Sequence, residues 1–242
     1  MPETIFHFKQ FSIHQDISAM KVGTDGVLLG AWAHPTSAKK ILDIGTGTGL
    51  LALMMAQKSS AKIIAIEIDE PSYMQANQNA LISPWNENIE VKHISLQEFC
   101  KQTDIQFDFI ISNPPFFADA AKAPNEARNN ARHLDETLSI KELIQCVNKL
   151  LSIDGTFNVI FPYREGMLFY EQAMQNNLFC THVTRVKTKP DKLEKRLLMR
   201  FSKSPQIIIE NEIVLTDENN NVTRQYVELT KEYYLNLNIG GE

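Results

Sequence analysis

The clearest chemistry in the chain lies in four consecutive residues, Asn113-Pro114-Pro115-Phe116. They follow Phe107-Asp108-Phe109-Ile110-Ile111-Ser112, a short, largely apolar run that reads as a buried strand. Two prolines stop that strand, since neither has an amide donor and both hold a fixed φ. Asn113 precedes a proline and is pushed toward extended backbone. A stiff loop at the carboxyl end of a strand would therefore carry an amide side chain, a bare carbonyl and an aromatic ring. A planar ring bearing an amine could lie on Phe116. It could then donate one hydrogen bond to the Asn113 side-chain oxygen and one to the Pro114 carbonyl. The plain alternative is a strand-ending turn with a core phenylalanine.

A second constellation stands upstream. Lys40 to Leu50 reads as a strand running into a glycine loop, Asp43-Ile44-Gly45-Thr46-Gly47-Thr48-Gly49, with an amphipathic helix over Leu50 to Gln57. Such glycines let a ligand approach the backbone closely. The spacing is G-x-G-x-G rather than the G-x-G-x-x-G that cradles a pyrophosphate, and no Gly-Lys-Ser/Thr follows, so a P-loop is excluded. Lys62 to Asp69 reads as a second strand ending in acids. Glu67 falls roughly twenty residues past the first glycine, where a carboxylate on a ribose diol is expected. Loop and acid together point to a nucleoside-like ligand.

The elements that must position these residues alternate. A helix is expected over Pro71 to Leu81, a third strand over Ile89 to Ile94, and a connection opening at Ser95, which could cap a helix or meet an adenine edge. Strands alternating with helices imply a parallel sheet covered on both faces, with ligands beyond the carboxyl ends of the strands. Gly45 to Gly49, Glu67, Ser95 and Asn113 all fall at such ends. Ahead of them, Met20 to Ala33 reads as a tight loop and a short apolar helix that Thr24 or Asp25 could cap. After Phe117 comes a long polar, alanine-rich segment to Asp135. In it Arg128, Arg132 and His133 form a small basic cluster that could meet phosphates or simply be solvated. Further on, the chain predicts a helix over Leu138 to Leu151, an Asp154-Gly155 turn, and a strand over Thr156 to Phe161. A helix over Glu165 to Asn177 comes next, then an antiparallel pair over His182 to Lys187 and Arg196 to Phe201. The pair's basic linker could be solvated or face phosphate. Ile207 to Leu215 and Val222 to Leu229 suggest a terminal hairpin across Asp217 to Asn221, with Tyr233 and Tyr234 on a short closing helix.

The 242 residues suffice for one large α/β domain, and 43% hydrophobic with 22% charged residues is ordinary for a globular core. The net charge of -5 means that any nucleic-acid contact must come from a local basic patch. Cys100, Cys146 and Cys180 are far apart and in no Cys-x-x-Cys spacing, which suggests buried thiols in a reducing cytoplasm rather than a zinc site or a disulfide framework. No signal peptide or bilayer-spanning run is expected.

In this order, Asp43 to Gly49, Glu67 and Asn113 to Phe116 resemble the motifs of class I S-adenosylmethionine-dependent methyltransferases that act on amino groups. Met20-Lys21-Val22-Gly23-Thr24-Asp25-Gly26-Val27-Leu28-Leu29-Gly30-Ala31-Trp32, with Asn-Pro-Pro-Phe-Phe and a following Ala-Arg-His, is similar to the bacterial tRNA1(Val) adenine-37 N6-methyltransferases over roughly residues 5 to 235. The resemblance implies a Rossmann-like α/β fold, with a seven-stranded, mostly parallel sheet, helices on both faces and a closing antiparallel strand. It implies a lead-in over residues 1–35, a methyltransferase core over 36–204, and a hairpin and short helix over 205–242. S-adenosylmethionine would meet Lys21, Thr24, Asp43, Gly45, Gly47 and Gly49 with its methionine end, Glu67 with its ribose, and Ser95 and Asn113 besides. Where many relatives place an adenine-contacting Asp, this chain has Ser95, with Gln97 and Glu98 nearby. Asn113, Pro114 and Phe116 would be catalytic, and Phe117, Arg128, Arg132 and His133 would meet the substrate. The expected partner is tRNA, with no metal, no membrane, and a cytoplasmic monomer as the working form. The rivals are methylation of a protein glutamine or a DNA adenine, and a non-catalytic module binding a nucleotide or RNA.

Overall fold

The strands that carry the core candidates end at one edge of a single sheet, and they are buried because helices cover both of its faces. The computed structural model describes residues 4–18, 20–35, 37–115 and 138–237. In chain order the elements are β1 (Ile5–His7), β2 (Ser12–His14), α1 (Thr24–Trp32), β3 (Lys40–Ile44), α2 (Leu50–Lys58), β4 (Lys62–Glu67), α3 (Glu70–Ile82), β5 (Ile89–His93), α4 (Leu96–Gln102) and β6 (Phe107–Ser112). They continue as α5 (Ile140–Leu150), β7 (Leu151–Pro162), α6 (Tyr163–Gln175), β8 (Phe179–Lys187), β9 (Glu194–Ser202), β10 (Ile209–Val214) and α7 (Arg224–Thr230). The main sheet has the order β10-β8-β9-β7-β6-β3-β4-β5, and β1 and β2 form a separate antiparallel pair. Strands β5, β4, β3, β6 and β7 are mutually parallel, β9 runs antiparallel to β7 and β8, and β10 is parallel to β8.

The strand sequences explain this arrangement. β3 and β6 are buried almost end to end rather than at alternate positions, as strands covered on both faces are. One core layer joins Val27 and Leu28 of α1, Leu53 and Met54 of α2, Ala80 of α3, and Tyr226 of α7 to one face of the sheet. The other joins Phe99 of α4, Leu143 and Val147 of α5 and Phe169 of α6 to Phe157, Phe161 and Phe201. Strand order reverses between β3 and β6, so the crevice at that switch point opens beyond their carboxyl ends.

Three local expectations are corrected. The sheet has eight strands among the described residues, because Ile209–Val214 adds to the edge beside β8. The expected partner strand over Val222 to Leu229 is instead α7. Thr216 and Val222 form one bridge across the Asp217 turn. Thr223 then accepts the Tyr226 amide at 3.1 Å, capping a helix that buries Tyr226 and Thr230, four residues apart. Asp154-Gly155 is not a turn into a new strand but lies in an irregularity within β7, where pairing jumps from Phe107↔Leu151 to Phe109↔Thr156. A Cβ on Gly155 would stand 2.9 Å from the Phe107 carbonyl, so the jump demands glycine.

Helix α1 ends without a glycine cap. Its terminal carbonyls are met instead by Lys58, whose Nζ donates to Gly30 O at 2.8 Å, Ala31 O at 2.6 Å and Ala33 O at 2.8 Å, over the ring of Tyr233 at 5.7 Å. A cation on orphan carbonyls at the negative end of a helix is favourable. Burial opposes it, pushing the amine down to about 8. Lys58→Met keeps the aliphatic stem and strands three acceptors. Urea unfolding should show a loss of about 3 kcal/mol, against little change for Lys101→Met on the exposed end of α4.

Candidate active site

The glycine loop turns where β3 meets α2. Gly45, Gly47 and Gly49 hold φ of +67°, +58° and +85°. At Gly47 an added side chain would be strained by the backbone alone, although a Cβ there would meet nothing within 4 Å. The loop is held from below by two acids. Glu67, at the end of β4, accepts the Gly47 amide on Oε2 at 2.8 Å, and the amides of Ile68 and Asp69 on Oε1 at 2.9 and 3.0 Å. A carboxylate has about four acceptor positions, so one remains for a ligand hydroxyl. Asp43, fully buried, accepts the Thr46 hydroxyl at 2.5 Å and the Ala52 amide at 3.1 Å, both on Oδ2. Its Oδ1 has no partner among the described residues. Burial, ahead of every other influence, raises the Asp43 carboxyl to about 7.

Beyond the strand ends lies a cavity of about 700 Å³. Gly45, Gly47 and Glu67 reach its wall, as do Lys21 and Thr24 from the lead-in, Ser95 from the start of α4, and Asn113 from the end of β6. Ile44, Ile66, Ile68, Ile94 and Leu96 supply apolar surface. Asn113 is half-buried, and its Nδ2 lies 4.0 Å from where a Cβ on Gly26 would stand, so α1 and the Asn113 loop meet there. Three sequence candidates lie off this wall: Asp43 and Gly49 behind the loop, and Pro114 buried beside Asn113. Phe116, Phe117, Arg128, Arg132 and His133 lie outside the described residues. Ser95 Oγ accepts the Glu98 amide at 3.1 Å as the cap of α4 while also reaching the cavity.

Thr24 and Asp25 do not cap α1. Its N-cap is Gly23, with no side-chain bond, and Asp25 instead accepts from Arg196 Nε at 2.8 Å. Arg196 comes from β9, 171 positions away, and lines the same cavity. No local signal could have paired them. The lead-in is held by buried amides of α3 that read as ordinary polar helix positions. Gln75 Oε1 accepts the amides of Asp16 and Ile17, both at 3.1 Å. Asn79 accepts the His14 amide and donates to the carbonyls of His14 and Thr48, each at 2.9 Å. Asn79 thus joins the amino-terminal hairpin to the glycine loop. Cys146 and Cys180 are buried, which pushes both thiols up to about 12 and leaves them inert.

A family model, the methyltransferase small domain, matches residues 22–175. A protein of Phocaeicola vulgatus is 44% identical over 98% of this chain and all of its own length, and one of Pseudoalteromonas translucida is 46% identical over 96% of this chain and 99% of its own. Both are named tRNA1(Val) (adenine(37)-N6)-methyltransferase. The chain belongs to that family. Among solved structures, a protein described as a predicted O-methyltransferase from Agrobacterium tumefaciens superposes on it with a TM-score of 0.68 at 16% identity, over 86% of this chain and 96% of that one. A glycopeptide N-methyltransferase complexed with S-adenosyl-L-homocysteine gives a TM-score of 0.54 at 9% identity, over 76% and 92%. These two share the fold. In this tRNA1(Val) (adenine(37)-N6)-methyltransferase family member the fold sets a cavity of about 700 Å³ at the switch point of a mostly parallel sheet. Among the described residues no group of three or more His, Cys, Asp or Glu could hold a metal, and no helix is long and apolar enough to cross a membrane.

The raised Asp43 carboxyl makes stability pH-dependent with a definite sign. Unfolded, the group ionises near 3.8, whereas folded it holds its proton to about 7. Its contribution is therefore complete below the lower value and is lost as pH rises through the upper one, at up to about 1.4 kcal/mol per pH unit. Urea titrations of the ligand-free protein at stepped pH should show Asp43→Asn gaining on the wild type across that window, with a constant difference above it. A pH-independent difference would mean that Asp43 is ionised when folded.

Proposed function

We propose that this chain transfers a methyl group from S-adenosylmethionine to N6 of adenine 37 in tRNA1(Val), the reaction for which its near-full-length relatives are named. The observation that carries this reading is that Asn113 and the glycine loop wall one cavity, so an amine held by Asn113 would stand beside whatever the loop holds. The residues present fit the cofactor. Gly45 and Gly47 present bare backbone with open space before them, Glu67 retains an acceptor for a ribose hydroxyl, and the isoleucines and Leu96 offer apolar surface for a purine. Lys21 and Thr24 would bind the polar end of the cofactor from the lead-in, and Ser95 would meet the adenine edge. Asp43 would act from behind the loop, fixing its course through Thr46 and Ala52.

When bound, S-adenosylmethionine supplies a methyl group electrophilic enough for an amine to capture. Adenine N6 is a poor nucleophile because its lone pair is delocalised into the ring. The Asn113 side-chain oxygen and the Pro114 carbonyl would each accept one of its two hydrogens, favouring a pyramidal nitrogen and orienting the lone pair into the cavity. As the N–C bond formed and the bond from the methyl to the sulfonium sulfur broke, leaving neutral S-adenosylhomocysteine, positive charge would gather on the adenine nitrogen and the same two oxygens would stabilise it. The proton then leaves for water. Phe116 would stack the extruded base, with Phe117 beside it, and Arg128, Arg132 and His133 would meet flanking phosphates.

Incubation of the protein with labelled S-adenosylmethionine and unmodified tRNA, followed by nucleoside mass spectrometry, tests this directly. N6-methyladenosine at position 37 of tRNA1(Val) is expected. Label appearing only in protein or DNA would move the reaction to a glutamine amide or a DNA adenine. Asn113→Ala should lower kcat about 10²- to 10³-fold and leave the Kd for S-adenosylmethionine near that of the wild type. Equal losses in both would remove Asn113 from the transfer step.

A further inference from the structure

Register brings an unassigned basic loop to the end of the sheet that holds the site. β6 and β7 are parallel with Ser112 opposite Val159, so β7 runs three residues further before ending at Pro162. That is about 10 Å beyond the level of Ser112. Pro162 pairs with Arg196 of β9, and Lys187 of β8 pairs with Glu194, so the connection between β8 and β9 projects from the end of the sheet that holds the cavity. Arg196 is at once the base of this loop and part of the cavity wall.

The composition of the loop differs from that of the chain. Residues 187–196 hold five basic and two acidic side chains, a net +3 in a protein of net -5. Lys187 is tied to Glu212 at 2.8 Å and Arg196 to Asp25, while Lys192 and Lys195 are exposed, Lys192 beside Asp191 at 3.1 Å. Lys189 Nζ reaches the Glu218 carbonyl at 3.2 Å, which braces the loop. Leu193, next to the first residue of β9, is 84% exposed, and Tyr163, which follows Pro162 at the same end, is 39% exposed. Apolar and aromatic surface set among lysines at one rim suits a ligand that has both phosphates and bases.

We propose that the β8–β9 loop binds the sugar-phosphate backbone of the tRNA beside the extruded adenine, through Lys189, Lys192 and Lys195. This rests on the tRNA reaction proposed above. Because the domain as a whole is acidic, the loop concentrates the attraction at the mouth rather than over the surface. It stands off the cofactor cavity except at Arg196, so the lysines act on tRNA affinity alone.

The test is K189A/K192A/K195A, assayed with unmodified tRNA across salt concentrations and compared with K39A/K40A/K101A, whose lysines lie at the opposite end of the sheet. The loop variant should raise the tRNA KM, flatten its dependence on log salt by about 2–3 units, and lose about 20- to 40-fold of its KM deficit between roughly 50 and 200 mM salt. Its kcat at saturating tRNA, its Kd for S-adenosylmethionine and its Tm should match the wild type, and the control variant should keep the wild-type slope. An unchanged slope in the loop variant, or an equal change in the control, overturns the proposal while leaving the reaction in place. A wild-type protein that labels no tRNA overturns the reaction itself, and the proposal with it.

Discussion

Everything at the site depends on a backbone that would not hold its shape unaided. Three left-handed glycines in five residues turn the chain from β3 into α2, and such a loop is entropically costly to order. Two buried acids order it. Glu67 takes three amide donors, one from the loop and two from the residues that follow β4, so the first two strand ends are locked to one carboxylate. Asp43 works from behind, through Thr46 and the first turn of α2. A loop held this way can offer bare backbone to a ligand without moving to meet it, which is the preorganisation that transfer chemistry requires.

The second dependence is longer in range. The lead-in contributes cavity residues, yet it and the amino-terminal hairpin precede the first strand of the main sheet. Gln75 and Asn79 secure them, two side-chain amides wholly buried in α3. Asn79 has one face on the hairpin and one on the glycine loop, so the two share a single buried group. At the opposite rim, Asp25 and Arg196 connect α1 to β9. An isolated exposed pair would contribute little, but this one is mostly shielded and lies on the cavity wall, so its effect is chiefly on geometry. The same helix meets the Asn113 side chain at Gly26, one residue on from Asp25.

Parts of this were legible in the chain and parts were not. The parallel sheet, its strand ends, the glycine loop and Glu67 follow from local patterns: apolar runs, glycine spacing, an acid at the right remove. The terminal hairpin failed because alternation over Val222 to Leu229 also fits a helix with Tyr226 and Thr230 on one face, and the Thr223 cap together with burial against α1 decides for the helix. The capping role given to Thr24 or Asp25 failed because a partner from β9 claims Asp25.

What the chain alone specifies is the chemistry on offer: an amide and a bare carbonyl at a rigid strand end, a glycine loop, and a carboxylate about twenty residues beyond its first glycine. These are written in residue types and short spacings, where sterics and hydrogen-bonding capacity act locally. Tertiary packing assigned the rest: which groups share the cavity, that Asp43 works from behind the loop, that Gln75 and Asn79 are structural keystones rather than helix surface, and that the β8–β9 loop leaves the sheet at its cavity end. Those outcomes depend on strand order and register across more than a hundred residues, and contacts at that separation leave no periodicity for a single sequence to display.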